Sequence, residues 1–164
     1  QKSSELLFSS ELKMDEVIKI LSEITNGEAV VVTDVGQHQM MTARYYNYNK
    51  SKSNITSGGL GTMGFALPAA IGAKFGTPNK TVIAVIGDGG FQMTLQELGT
   101  ILQSKVEVKI IILNNRFLGM VRQWQDLFFE KCYSFAEIMS RVLVALSRAY
   151  SISPSSIEEG THLQ

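Results

Sequence analysis

The chain is 164 residues long, enough for one domain with a sizeable core. Its 15 Lys and Arg balance 15 Asp and Glu, which excludes the basic footprint of a nucleic-acid binder and leaves no acidic tail. A single cysteine, Cys132, excludes an internal disulfide framework and a cysteine-built zinc cluster, and no His neighbours it to activate the thiol. No apolar stretch is long enough to span a membrane and no secretory pattern opens the chain, so a soluble, cytoplasmic protein is expected.

Residues 1–10 read as a linker or frayed end, 11–152 as one domain and 153–164 as a tail. Leu12, Val17, Ile18, Leu21 and Ile24 recur at helical spacing ahead of Asn26-Gly27, which predicts an amphipathic helix and its stop. Ala29-Val30-Val31-Val32-Thr33 is the first buried strand. It breaks into Asp34-Val35-Gly36-Gln37-His38-Gln39 before a helical stretch with Met40, Met41, Tyr45 and Tyr46. At that strand end Gln37 can donate and accept. His38 is either structural or offers an N–H to an anion at the helix start, and Asp34 either caps the turn or faces a ligand. Residues 47–57 are polar and turn-rich, with Lys50 and Lys52, and predict a surface loop. Ser57-Gly58-Gly59-Leu60-Gly61-Thr62-Met63-Gly64 then leads into an apolar helix over 65–75, with Pro68 tolerable in its first turn.

The chain turns on residues 82–115. Val82, Ile83, Val85 and Ile86 form a run of the kind buried on both faces of a parallel sheet, and so do Val108, Ile110, Ile111, Ile112 and Leu113. Leu95, Leu98, Ile101 and Leu102 lie between them at helical spacing, so the unit reads strand, helix, strand, with both strand ends on one edge. One end carries Gly87-Asp88-Gly89-Gly90 and the other Asn114-Asn115. Each alone is an ordinary turn or strand exit. Together, one crossover apart at the carboxyl edge, an acid and an amide oxygen suit Mg2+, which takes few protein oxygens and keeps water or phosphate. The glycines beside Asp88 would let backbone N–H groups approach phosphate closely.

Gly59-x-Gly61-x-x-Gly64 matches the dinucleotide fingerprint, with Asp88 near the place of a ribose-binding acid. That reading is disfavoured, because residues 50–57 hold only Ile55 as a large apolar residue where a strong buried strand is required. Nor does it explain Asn114-Asn115. Beyond them, Phe117, Met120, Val121, Trp124, Leu127 and Phe128 fall on one helical face, either core or the mouth of a cleft. Residues 134–138 and 142–150 predict one short and one longer helix.

Gly-Asp-Gly followed at this interval by Asn-Asn resembles the diphosphate and metal motif of thiamine-diphosphate enzymes. Four runs are similar to the acetolactate (acetohydroxyacid) synthase family in particular: residues 33–40, residues 56–65, the Gly87 motif, and Asn114-Asn115 through Gly119-Met120-Val121 to Trp124. The resemblance covers about residues 11–150 and departs from the family at Met41, often Trp there, at Arg141-Val142, often Pro-Asp, and at Ser151, often Gly. It implies an α/β domain of three layers, a mostly parallel sheet with helices on both faces, here expected to be truncated at its C-terminus.

The resemblance also implies roles. Asp88, Asn115 and the backbone carbonyl of Phe117 would hold Mg2+, Gln37 and His38 would touch the diphosphate of thiamine diphosphate, and Gly87, Gly89 and Gly90 would lie along it. Gly61 belongs to a wall of the cofactor cleft, Met63 props the cofactor into its bent shape, Gly119 and Met120 lie on its pyrimidine side, and Trp124 borders the substrate channel. For Met63 the plain alternative is core filling. Family members join pyruvate, after decarboxylation, to a second 2-oxo acid in branched-chain amino acid biosynthesis. Their activating Glu lies on a pyrimidine-binding domain, usually from a partner subunit, and FAD sits mainly on a middle domain. Neither domain fits in this chain, so it is expected to be inactive alone and part of a homo-oligomer, with a regulatory subunit as a further candidate partner. The same motifs allow another thiamine-diphosphate enzyme (pyruvate oxidase, 2-oxo acid decarboxylase, another carboligase) or a noncatalytic interaction module that retains the fold.

Overall fold

A computed structural model describes residues 12–139 and 143–154. The expected linker at 1–10 and all but two residues of the expected tail lie outside the described residues. Four strands, β1 (Val30–Thr33), β2 (Asn54–Thr56), β3 (Val82–Gly87) and β4 (Lys109–Leu113), form one parallel sheet in the order β2-β1-β3-β4.

Alternation along the strands sorts the core into two layers. Val30, Val32, Val82, Ala84 and Ile86 face one side, where α3 (Ala66–Gly76) supplies Ala66, Leu67, Ala70 and Ile71, and α5 (Glu97–Ser104) supplies Leu98 and Ile101. The same layer takes Phe91 from α4 (Asp88–Met93), while Leu143 and Leu146 of α7 (Leu143–Ala149) pack against it. Val31, Ile83 and Val85 face the other side, against Ile18 of α1 (Met14–Ile24) and against Met41 and Tyr45 of α2 (Gln37–Tyr45). A sheet buried on both faces requires apolar residues at successive positions, which is why its central strands read as unbroken hydrophobic runs. The three-layer α/β expectation holds.

Several local expectations change. Residues 54–56 are not loop: they form the edge strand β2, with Asn54, Ile55 and Thr56 level with Val31, Val32 and Thr33 of β1. Three residues, of which Ile55 alone packs against the core, carry no readable alternation, and parallel pairing to β1 supplies what propensity does not. The predicted helix at 134–138 is absent. Phe135 has φ +50, and the segment runs antiparallel to 116–118, with the Leu118 N–H donating to the Ala136 carbonyl (2.7 Å) and the Ile138 N–H to the Arg116 carbonyl (2.8 Å). Non-local backbone partners thus replace local ones. In α1 the buried residues are Ile18, Ile20 and Ser22, and Ile24 is exposed. The stripe beyond Asn115 does form a helix, α6 (Gly119–Phe128), yet none of its residues is buried.

The connections position the site. The chain leaves β1 into α2 on one face of the sheet and leaves β3 into α4 and α5 on the other, while β1 and β3 are neighbours. Between strands whose connections diverge in this way a crevice opens at the carboxyl edge.

Leu67→Ala should lower unfolding stability by about 2–5 kcal/mol, because Leu67 is 1% exposed in the main core layer. Phe135→Ala, at a residue 99% exposed, should stay within ~0.5 kcal/mol. Urea midpoints of the two variants against the parent chain check both.

Candidate functional site

The crevice brings together the ends of β1, β3 and β4. Register places Gly87 level with Leu113, so Asp88 and Asn115 emerge from adjacent strands, which lie about 4.8 Å apart in a sheet. Asp88 is 1% exposed and opens α4, where the helix dipole favours a carboxylate.

After β4 the chain makes a tight turn. The Asn114 side-chain oxygen accepts the Arg116 N–H (3.1 Å), and the Asn115 side-chain oxygen accepts the Phe117 N–H (3.0 Å). These two Asx-type bonds support Arg116 at φ +62, a left-handed conformation that costs a non-glycine residue on the order of 1–2 kcal/mol. A carbonyl-type oxygen has two lone pairs, so Oδ1 of Asn115 keeps one for a cation while it accepts from Phe117.

Gln37, first residue of α2, ties the turn to its surroundings. Its Oε1 is 3.5 Å from Nδ2 of Asn115, at the long limit of a hydrogen bond, and its Nε2 donates to Oε1 of Gln123 on α6 (3.1 Å). A Cβ on Gly119 would overlap the Gln37 amide and touch Nδ2 of Asn115, so a larger residue here would displace the Gln37 side chain from this arrangement.

The glycines of the Gly87 motif admit protein side chains. A Cβ on Gly87 would meet the His38 ring, one on Gly89 would meet Leu118, Ile138 and Met63, and one on Gly90 would coincide with the Asp34 carboxylate. The expected approach of N–H groups to phosphate is therefore joined by a packing constraint that the sequence did not reveal. Asp34 caps nothing in α2. It is wholly buried, with Oδ1 2.5 Å from Nε2 of His38 and Oδ2 accepting the Gly64 N–H (3.1 Å), while the Thr94 hydroxyl donates to the Gly64 carbonyl (3.1 Å).

The edge thus gathers Gln37, His38, Met63, Gly87, Asp88, Gly89, Gly90, Asn115, Phe117 and Gly119. Gly61 lies nearby, with Val35 beside its open face. Met120 is half-buried in the first turn of α6. Trp124 stands further out, 57% exposed and stacked on Phe128 with ring centroids 4.8 Å apart.

Sequence reasoning missed the segment behind the turn. Ile138 reaches Gly89, and Arg122 of α6 lies 3.9 Å from the Phe117 ring and 5.1 Å from that of Tyr133. The Tyr133 hydroxyl donates to Asp126 (2.5 Å), which raises the phenol above its usual pKa. Asp34 and His38, spaced i to i+4 across a strand end, carried a signal for one partnership; the backbone pairing of 116–118 with 136–138 carried none.

One buried carboxylate and two neutral oxygens are hard donors few in number, which suits Mg2+ retaining phosphate and water. Among the described residues no cluster of three or more His, Cys, Asp or Glu offers a softer or more crowded metal site. No helix among them is long and apolar enough to cross a membrane.

Residues 34–164 match the thiamine pyrophosphate enzyme C-terminal TPP binding domain. The acetolactate synthase large subunit of Lactococcus lactis subsp. lactis (strain IL1403) is 54% identical over 121 residues, 74% of this chain and 21% of that protein. Acetolactate synthase isozyme 3 large subunit of Escherichia coli (strain K12) is 49% identical over 143 residues, 87% of this chain and 25% of its own length. Among solved structures, the thiamine diphosphate-dependent 4-hydroxybenzoylformate decarboxylase of Rhodococcus jostii RHA1 superposes with TM-score 0.83 over 96% of this chain and 30% of its own, at 22% identity, and so shares the fold. The chain spans about a quarter of the length of these curated relatives, and it belongs to the thiamine pyrophosphate enzyme family, as a TPP-binding domain homologous to that of acetolactate synthase large subunits.

Proposed function

We propose that this chain serves as the diphosphate- and Mg2+-binding domain of an acetolactate synthase, which joins pyruvate, after decarboxylation, to a second 2-oxo acid. The meeting of buried Asp88 with the 114–117 turn on one sheet edge supports it above all. Asp88, Oδ1 of Asn115 and the carbonyl of Phe117 would hold Mg2+. Gln37 and His38 would face the diphosphate, and Met63, beside Gly89, would set the angle between the cofactor's rings. Thiamine diphosphate supplies the electron sink for decarboxylation.

The chain's own contribution is orientation. The tandem Asx-type bonds hold the turn at Arg116 and Phe117, the Leu118 N–H bond to the Ala136 carbonyl orients the peptide unit that carries the Phe117 carbonyl, and the Gln37 amide links Asn115 to α6. Exposed Trp124, Leu127 and Phe128 suit a face covered by a pyrimidine-binding domain from a partner subunit, which would bring the activating Glu. FAD would bind mainly elsewhere in such an enzyme, and a regulatory subunit and a cytoplasmic setting are expected on the same analogy. Two tobacco relatives, each 51% identical over 123 residues, are named chloroplastic, so plastids are a further setting for the family.

Calorimetric titration of thiamine diphosphate should give binding that requires Mg2+, with Asp88→Ala weakening it at least tenfold, about 1.4 kcal/mol or more. Equal heats with and without Mg2+, or from parent and variant alike, would overturn the metal assignment. Asn115→Ala should fall in the same direction. Incubated alone with pyruvate, cofactor and Mg2+, residues 1–164 should form no acetolactate in a colorimetric acetoin assay, because by the family analogy the activating acid comes from the pyrimidine-binding domain.

A further inference from the structure

The two ring nitrogens of His38 have different surroundings. Nε2 lies 2.5 Å from Oδ1 of Asp34. The adjoining edge, Nδ1 with Cε1, lies against Gly36 and Gly87, where an added Cβ would stand 2.8 Å and 3.0 Å from Nδ1. Gly36 holds φ +150, a conformation that favours glycine, so backbone and ring are matched at this position.

Asp34 cannot turn away from the ring. Its side chain is fully buried, its Oδ2 accepts the Gly64 N–H, and that same oxygen fills the space a Cβ on Gly90 would need. One carboxylate therefore fixes three segments against one another: the end of β1, the glycine segment before α3, and the first turn of α4. A backbone N–H only donates, so Oδ2 is an acceptor. A carboxylate that accepts at both oxygens requires Nε2 to carry its proton.

We infer that Asp34 is a positioning residue: it commits the Nε2–H of His38 to the protein and leaves Nδ1 as the nitrogen presented beside Gly87 to the diphosphate. Only that last step rests on the cofactor reading above. The expectation that His38 simply offers an N–H to phosphate is thereby narrowed, because the Nε2–H is given to Asp34. Nδ1 carries no proton in this tautomer and donates to a phosphate oxygen only once the ring has taken up a second proton there.

Substitution of Asp34 by Asn makes the idea testable without any ligand. The Gly64 N–H would hold the amide oxygen, so the amide NH2 would face Nε2 and force that nitrogen to accept. The ring would then carry its proton on Nδ1. The 15N resonances of the His38 ring, identified by their loss in His38→Gln, report the tautomer at about pH 8.5, above the ordinary imidazole pKa of ~6.5.

The cofactor-free parent chain should show a protonated Nε2, and Asp34→Asn should exchange the two nitrogens. A parent ring protonated on Nδ1, or a variant ring with an unchanged tautomer, would overturn the role of Asp34. If the variant does not fold, the parent spectrum alone decides. Thiamine diphosphate with Mg2+ should then move the Nδ1 resonance of the parent more than that of Nε2. A parent ring of the expected tautomer that ignores a cofactor shown to bind by calorimetry would overturn the presentation of Nδ1. The same silence without binding would instead count against the cofactor reading, with the hold of Asp34 on the ring left standing.

Discussion

The site depends on the parallel pairing of β1 with β3. Val30 to Thr33 lie level with Val82 to Val85 in unbroken register and β3 runs two residues further to Gly87, so the two strand ends deliver Asp34 and Asp88 to one edge. One connection crosses to the α2 face and the other to the α4 face, and between them the His38 ring and the Asp34 carboxylate lie against the backbone of Gly87 and Gly90. A slip of register would separate the Gly90 backbone from the Asp34 carboxylate as well as disturb the core. Fold and site are therefore specified by the same hydrogen-bond ladder.

Much of this was legible in the residues. Buried parallel strands advertise themselves as β-branched runs, and polar clusters at their ends mark the functional edge, so β1, β3, β4, Asp88 and Asn115 could be placed from the amino-acid order alone. Edge strand β2 could not, because three residues with one apolar member do not establish a period, and its pairing is settled by β1. The 134–138 segment failed for a related reason. Its conformation is decided by carbonyls and amides of residues 116–118, which local propensity does not encode. Likewise, the glycines around Asp88 invited a phosphate-centred explanation, whereas their closest constraints are His38, Leu118, Ile138 and Asp34.

Helix α6 illustrates a limit of amphipathic reasoning. Its apolar stripe suited either core or the mouth of a cleft, and within this chain Val121, Trp124, Leu127 and Phe128 remain exposed. The helix is nonetheless held in place. Near its middle Gln123 accepts from Gln37 and Gln125 donates to the Ser134 carbonyl, while Arg122 stacks between Phe117 and Tyr133. Polar contacts fix its place and leave the apolar face available.

The antiparallel bridge between 116–118 and 136–138 has a mechanical consequence. It consists of two backbone bonds beyond the edge of the sheet, with Ile138 wedged against Gly89. Breaking them would cost only a local opening, far less than unfolding the four strands. The direction in which the Phe117 carbonyl points can thus loosen while the domain stays folded, so how tightly this edge would hold the proposed cation and how well the chain resists heat are two separately adjustable properties.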